Sequence, residues 1–313
     1  MDEQFLRDVD AGLSASPKFL LSKYFYDKRG DELFVKIMNS PEYYLTDAEL
    51  DIFKNQTSEL VNAIMHNGEP FELVELGAGD GTKTLELLRF LQNDYSFSYL
   101  PVDISANALH KLEKRLKTEV PNVLVKPQQG EYFTILKKIK CIDEPKTILF
   151  LGSNLGNLLD EKAHLFVTEL AESMNAGDKL LLGVDLKKRI EIVLPAYNDS
   201  AGFTRDFNLN LLSRINRELG ANFNIDRFNH KPIYNEEEGI AYSYLESLIP
   251  QNVHITALGK TFEFTQGERI HTEISRKYDD ETIDLIFKDT GLYATRTYKD
   301  KKHLFANYLF EKR

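Results

Sequence analysis

The chain has 313 residues, 42% hydrophobic and 28% charged, with 39 lysines and arginines against 49 aspartates and glutamates for a net charge of −10. That is the composition of a folded globular protein with material for one large core or two modest ones, and its acidity argues against a polyanionic partner such as nucleic acid. No apolar run reaches the ~20 residues that span a bilayer, Met1-Asp-Glu-Gln-Phe5 lacks the basic start and apolar core of a signal peptide, and the lone Cys141 can form no internal disulfide, which fits a reducing cytoplasm.

Residues 1 to about 48 read as helical and aromatic-rich, with Tyr24, Phe25, Tyr26, Tyr43 and Tyr44. From about 49 to 187, strand patterns near 71–76, 98–103, 122–126, 147–152 and 179–186 alternate with helical periods, an order that predicts an α/β fold with a parallel sheet covered on both faces. The first strand runs into Glu75-Leu-Gly77-Ala-Gly79-Asp-Gly81, three glycines at alternate positions. Glycine suits such a turn because a Cβ would block both the bend and a nucleotide-like ligand's approach to bare backbone, and the helix that follows offers unpaired N–H groups. The dinucleotide fingerprint G-x-G-x-x-G needs a third glycine where this chain has Thr82; the spacing here is E-x-G-x-G-x-G. The second strand ends in Asp103, where nucleotide folds hydrogen-bond ribose hydroxyls, and Ser105 is the expected N-cap of the next helix. Beyond the third strand, Gln129-Gly-Glu131-Tyr132 places an acid beside an aromatic.

Residues from about 188 to 276 again read as helical and aromatic-rich, so they and the first segment, flanking the sheet in sequence, are expected to form one second domain that builds an acceptor pocket. After a helix near Glu281–Lys288, the segments Leu292–Tyr298 and His303–Phe310 read as two strands joined by Lys299-Asp-Lys-Lys302, a hairpin that adds antiparallel strands to the sheet. The seven histidines are scattered without metal-ligand spacing, so no metal is expected.

The glycine turn resembles the first motif of class I S-adenosylmethionine (SAM)-dependent methyltransferases, and a closing hairpin is the usual termination of that fold. Seven stretches in order extend the likeness along the chain: Tyr24-Phe-Tyr-Asp-Lys-Arg-Gly30-Asp-Glu-Leu-Phe34, Pro41-Glu-Tyr43-Tyr44-Leu-Thr46, Phe150-Leu-Gly152-Ser-Asn-Leu-Gly-Asn157, Gly183-Val-Asp-Leu186, Ala196-Tyr197-Asn-Asp199, Asn216-Arg-Glu-Leu-Gly220 and Ile270-His-Thr-Glu273-Ile-Ser275. Together they resemble the histidine-specific N-methyltransferases of ergothioneine biosynthesis. The resemblance implies a SAM-dependent methyltransferase domain of Rossmann-like sheet (49–187 and 277–313) and an α+β substrate-binding domain (1–48 and 188–276), acting together to trimethylate the α-amino group of L-histidine to hercynine.

By the same resemblance, Gly77, Lys83, Asp103, Glu131 and Tyr132 fall on cofactor positions, the last two where the family more often has Asp and Phe. Asn157 and Tyr197 match groups that hold the α-amino and α-carboxylate end of the acceptor; Tyr43, Glu273 and Ser275 match those around the imidazole, and Tyr26 and Gly152 line the pocket. The amine must react as the neutral base, and Tyr26, Tyr43 or a water leading to solvent are the candidates to receive its proton. Where the histidine enzymes typically have Glu-Met-Arg-Leu this chain has Tyr242-Ser243-Tyr244-Leu245, which puts Ser243 at the methionine position. N-methylation of another amino acid such as tryptophan is therefore an alternative, and a non-catalytic SAM- or metabolite-binding protein is a third reading. A cytoplasmic monomer acting on a small molecule, with neither membrane nor nucleic-acid partner, is the expected setting.

Overall fold

In the computed structural model, which describes residues 2–313, the chain runs through α1 (Glu3–Ser14), β1 (Lys18–Phe19), α2 (Lys28–Met38), α3 (Tyr44–Asn55), α4 (Thr57–Ile64), β2 (Phe71–Leu76), α5 (Thr84–Leu91), β3 (Phe97–Asp103), α6 (Ala106–Glu119), β4 (Leu124–Val125), β5 (Gln128–Gln129) and α7 (Tyr132–Ile139). It continues through β6 (Lys146–Phe150), α8 (Asp160–Glu172), β7 (Lys179–Asp185), α9 (Ile190–Ala196), α10 (Phe203–Leu219), β8 (Phe228–Asn235), β9 (Ile240–Ser247), β10 (Gln251–Ile255), β11 (Lys260–Phe264), β12 (Arg269–Arg276), α11 (Asp280–Phe287), β13 (Leu292–Lys299) and β14 (Phe305–Lys312). Two compact units result: Met1–Tyr43 with Lys188–Ser275, and Tyr44–Lys187 with Arg276–Arg313.

The second unit is built on an eight-stranded sheet of order β13-β14-β7-β6-β2-β3-β4, with β5 also paired to β3. Strands β2 to β7 are parallel, whereas β14 lies antiparallel beside β7 and β13 antiparallel beyond it. This is the doubly wound sheet with an antiparallel closing hairpin that the sequence pattern predicts. β2 is buried at all six positions, as a strand covered on both faces must be. Its side chains alternate between two cores: Val74 and Leu76 join Val102, Phe150 and Phe166 on one face, and Leu73 joins Tyr99, Leu85 and Leu149 on the other. The third predicted strand, 122–126, is cut to β4 and β5, because Pro127 between them has no N–H for the ladder. The sheet order reverses between β2 and β6, and in open α/β sheets such a switch point is where ligands bind at the strand C-termini. This unit begins at Tyr44 rather than near residue 49: Ala48, Ile52 and Phe53 of α3 are buried in the same core as Phe305 and Leu309 of β14.

The first unit carries a four-stranded sheet, β1-β12-β9-β8, and the separate hairpin β10-β11. The reading of this segment as mainly helical is corrected: five strands occupy most of residues 228–276. β9 alternates between buried Ser243, Leu245 and Ser247 and half-buried Tyr242, Tyr244 and Glu246, a period of two that one solvated and one covered face imposes. Its core joins Phe5, Val9 and Leu13 of α1 to Phe207, Leu211 and Ile215 of α10 and to Leu245 and Ile270 of the sheet.

Candidate active site

Within the sheet unit, the turn after β2 has Gly77, Gly79 and Gly81 at φ of +75°, +55° and +67°, left-handed backbone that residues with a Cβ adopt only at a cost. Gly77 and Ala78 both donate to the Val102 carbonyl, at 2.8 and 3.0 Å. A Cβ at Gly77 would stand 2.7 Å from both the Tyr132 hydroxyl and Asn154 Nδ2, whereas nothing lies within 4 Å of the corresponding point at Gly79. Asp103 closes this turn from the end of β3: Oδ2 accepts from Gly79 N at 2.9 Å and Oδ1 from Ser105 N at 2.9 Å. Ser105 is the N-cap of α6, its side chain accepting from Ala108 N.

Beneath the turn lies Glu75, 2% exposed, whose carboxylate accepts from Thr84 Oγ1 at 2.7 Å and from the Tyr99 hydroxyl. Burial pushes this carboxyl up to about 7, against the lowering pull of those two hydroxyls and Lys83. Tyr132 opens α7, its ring edge-on to Phe150 at 5.4 Å, and burial raises its phenol above the ordinary tyrosine range. Glu131, the residue before it, takes the N-cap position of α7 and is exposed. Lys83 Nζ pairs with Glu49 Oε2 at 2.6 Å, and the amide of Gly152 donates to the same oxygen at 2.9 Å. Asn157 ends the short 3-10 turn Asn154–Asn157 and is exposed.

Within the other unit, Tyr26 and Tyr43 belong to one aromatic group. Tyr26 meets Phe34 and Phe207 edge-on at 5.7 Å each, and Phe34 meets Tyr43 edge-on at 6.4 Å. Tyr197 ends α9, and its hydroxyl donates to Ser275 Oγ at 2.7 Å, so residues matched to opposite ends of an acceptor touch one another. Asp199 fixes the chain just beyond Tyr197 by accepting from the first amides of α10, Phe203 N at 2.8 Å and Thr204 N at 2.7 Å. The glycine at 202 opens that helix with a left-handed φ and leaves it no side-chain cap of its own.

Glu273 is half-buried on β12. Cross-strand pairs set Arg269 against Glu246 and His271 against Tyr244, and the same register brings Glu273 opposite Tyr242. Ser243 belongs to the other face: it is 3% exposed, and its carbonyl accepts from Thr272 Oγ1, which also donates to Asn208 of α10. Tyr242, rather than Ser243, therefore shares the face of Glu273. Three groups escaped the sequence reading as site elements: Glu49, Phe34 and Tyr242. Glu49 carries no local signal, because an acid in a helix is ordinary; Phe34 and Tyr242 each stand at one end of a stretch already singled out.

A family model described as histidine-specific, SAM-dependent methyltransferase matches residues 5–312. A histidine N-alpha-methyltransferase from Mycolicibacterium smegmatis is 35% identical over 299 residues, covering 95% of this chain and 92% of its own. One of the same name from Mycobacterium tuberculosis is 36% identical, covering 94% and 91%. Ergothioneine biosynthesis protein 1 of Schizosaccharomyces pombe is 29% identical over 94% of this chain and 39% of its own.

Proposed function

The chain belongs to the family of histidine-specific, SAM-dependent methyltransferases, and we propose from that membership that it trimethylates the α-amino group of L-histidine to give hercynine. The observation that carries this reading is the family match from residue 5 to 312, which spans both units rather than the sheet alone. When bound, SAM supplies an electrophilic methyl group on a sulfonium, which an amine lone pair takes in line as the carbon–sulfur bond breaks. The shape of the turn supports SAM as the ligand: the Gly79 backbone faces open space, and a side chain at Gly77 would collide with Tyr132. Gly77, Lys83, Asp103, Glu131 and Tyr132 would hold it, Asp103 as acceptor for ribose hydroxyls and Tyr132 as an aromatic face.

On the acceptor side, Asn157 and Tyr197 orient the zwitterion with neutral polar groups that leave the nitrogen lone pair available. Glu273 accepts from one imidazole N–H and Ser275 exchanges a hydrogen bond with the other nitrogen, so that one anionic and one adaptable partner match the two ring positions. Buried hydrogen-bonding groups of this kind reject an analogue that lacks the partner far more strongly than apolar contacts do. Gly152 lines the site. Tyr26, Tyr43 or a water leading to solvent takes the proton the amine must lose, and the aromatic group that holds the two tyrosines offers ring faces that attract a quaternary ammonium. We further infer a cytoplasmic setting, which the unpaired Cys141 suits, and a monomer.

The test is incubation of the purified protein with SAM and each aromatic amino acid separately, with mass spectrometry for one, two and three added methyl groups. Histidine is expected to gain three, and Glu273→Ala to lower kcat/KM for histidine at least ~100-fold by removing the hydrogen-bond acceptor of the imidazole. Methylation of tryptophan in preference to histidine would replace the acceptor, and binding of SAM without turnover on any amino acid would leave a sensor.

A further inference from the structure

Glu49 is a fully buried carboxylate on α3, 0% exposed, that no step above uses. Its Oε2 accepts from Lys83 Nζ at 2.6 Å and from the Gly152 amide at 2.9 Å. Its Oε1 accepts from Asn307 Nδ2 at 2.9 Å. A Cβ on Gly183 would fall 2.0 Å from that same Oε1, so the glycine of the Gly183-Val-Asp185-Leu stretch is the seat that lets the carboxylate in. Asn307 and Gly183 are register partners across β14 and β7. The carboxylate therefore stands on two paired strands and reaches toward the C-terminal ends of β2 and β6, on either side of the switch point.

A buried charge is tolerated only when paired and hydrogen-bonded, and here all its hydrogen-bond partners but Asn307 lie on loops that matter for binding. Lys83 precedes α5 at the end of the glycine turn. Gly152 and Ser153 follow β6 with φ of +71° and +59°, a left-handed pair in which the serine is strained and persists only because surrounding bonds over-determine it. Those bonds are Gly152 N to Glu49, Ser153 N to the Gly183 carbonyl at 3.1 Å, and Asp185 N to Ser153 Oγ at 3.0 Å.

We propose that Glu49 is a positioning residue that couples the two halves of the site, holding Lys83 for SAM and the Gly152 loop for the amino-acid acceptor from one carboxylate oxygen. This rests on the methyltransferase reading. Glu49→Gln keeps the shape but removes the charge that gathers an ammonium and an amide on one atom, so both loops relax together. Neither group touches the reacting atoms through Glu49, so the chemistry at saturation is spared.

The experiment compares the full-length protein with Glu49→Gln, Lys83→Met and the double variant, reading the SAM Kd by calorimetry, the KM for histidine, kcat and Tm. Glu49→Gln is expected to weaken SAM binding about ten-fold and raise the histidine KM similarly, the size of coupling found among contacting residues in one network, with kcat changed less than about three-fold. In the Lys83→Met background Glu49→Gln is expected to cost no further SAM affinity, yet still to raise the histidine KM through Gly152. An equal loss of SAM affinity in both backgrounds, or a lowered Tm with SAM Kd and histidine KM unchanged, overturns the proposal. Asn307→Ser, which loosens only Oε1, covers the case in which Glu49→Gln does not fold; it is expected to raise both constants by a smaller factor, and unchanged constants would overturn the proposal equally. An unaltered protein that binds no SAM overturns the activity reading itself, an outcome separate from any difference among variants.

Discussion

Two buried groups, one in each unit, titrate against each other. Glu75 is raised to about 7 from 4.5 chiefly by burial, so between those values the folded chain holds a proton that the unfolded chain has lost, and stability falls as pH rises through the window. His230, 6% exposed, is lowered from 6.5 to about 4, by burial first and also by Arg205, with Asp199 opposing. Here the unfolded chain holds the extra proton, so stability is lost as pH falls from 6.5 toward 4. Each effect is on the order of 3 kcal/mol when complete, and across pH 4.5–6.5 they have opposite sign. Relative to the parent protein, Glu75→Gln is expected to gain stability steadily as pH rises through 4.5–7, and His230→Gln to gain as pH falls through 6.5–4, read as differences in urea unfolding free energy. Parallel pH profiles for all three proteins would sink this account. Neither shift is legible in the sequence, since Glu75 belongs to a recognisable turn but its burial against Tyr99 and Thr84 comes from the fold, and nothing local marks His230.

Strand alternation decides which neighbours share the face of Glu273. Tyr242 lies across from it in the register set by Arg269–Glu246 and His271–Tyr244, while Ser243, one residue on, is buried at 3% exposure with its carbonyl accepting from Thr272 Oγ1; a shift of one residue along a strand changes the face. Tyr242→Ala is accordingly expected to raise the histidine KM up to about ten-fold, the worth of one aromatic contact. Ser243→Met is expected to leave that KM within about two-fold and to destabilise by ~1–3 kcal/mol through overpacking, seen as a lower Tm. A changed ratio of histidine to tryptophan kcat/KM in Ser243→Met, with Tm unaltered, would return the specificity role to that serine. The parallel strands were readable because each is a short, largely apolar stretch bounded by turn residues: 71–76 was placed to the residue, and 179–186 differs from β7 by one. Strands β8, β9 and β12 were hidden because residue type does not follow a period of two along them: Asn229-His-Lys231 and His271-Thr-Glu273 are polar runs, and Pro232 and the clustered tyrosines blur the pattern further. The glycine turn and Asp103 were legible because bare backbone and a strand-terminal acid leave a local signature. Glu49 was not, since its partners Lys83, Gly152 and Asn307 come from three separate segments.

The chain passes between its two units at residues 43/44, 187/188 and 275/276, and one buried network sits within two or three residues of every crossing. The Tyr44 hydroxyl donates to Asp185 Oδ2 at 2.7 Å, and Lys277 Nζ pairs with the same oxygen at 2.8 Å. Asp185 and Lys277 are both 0% exposed, and the backbone joins them again where Tyr278 N donates to the Asp185 carbonyl at 2.8 Å. All of this lies inside the sheet unit, so the network anchors three distant stretches of chain at the C-terminal end of β7. A buried ion pair adds little over a well-packed apolar pair, but removing one partner strands the other charge at a cost of about 3–5 kcal/mol. Lys277→Met and Asp185→Leu are therefore each expected to destabilise the protein by that amount, and Asp185→Leu/Lys277→Met to recover most of the loss, measured as a double-mutant cycle in denaturant. The Tyr44 hydroxyl loses its acceptor in Asp185→Leu but keeps it in Lys277→Met, so the aspartate variant is expected to be the weaker of the two by about 1 kcal/mol, the net worth of one hydrogen bond. Strictly additive losses would show instead that neither charge depends on the other, and the network would then be three separate contacts rather than one anchor.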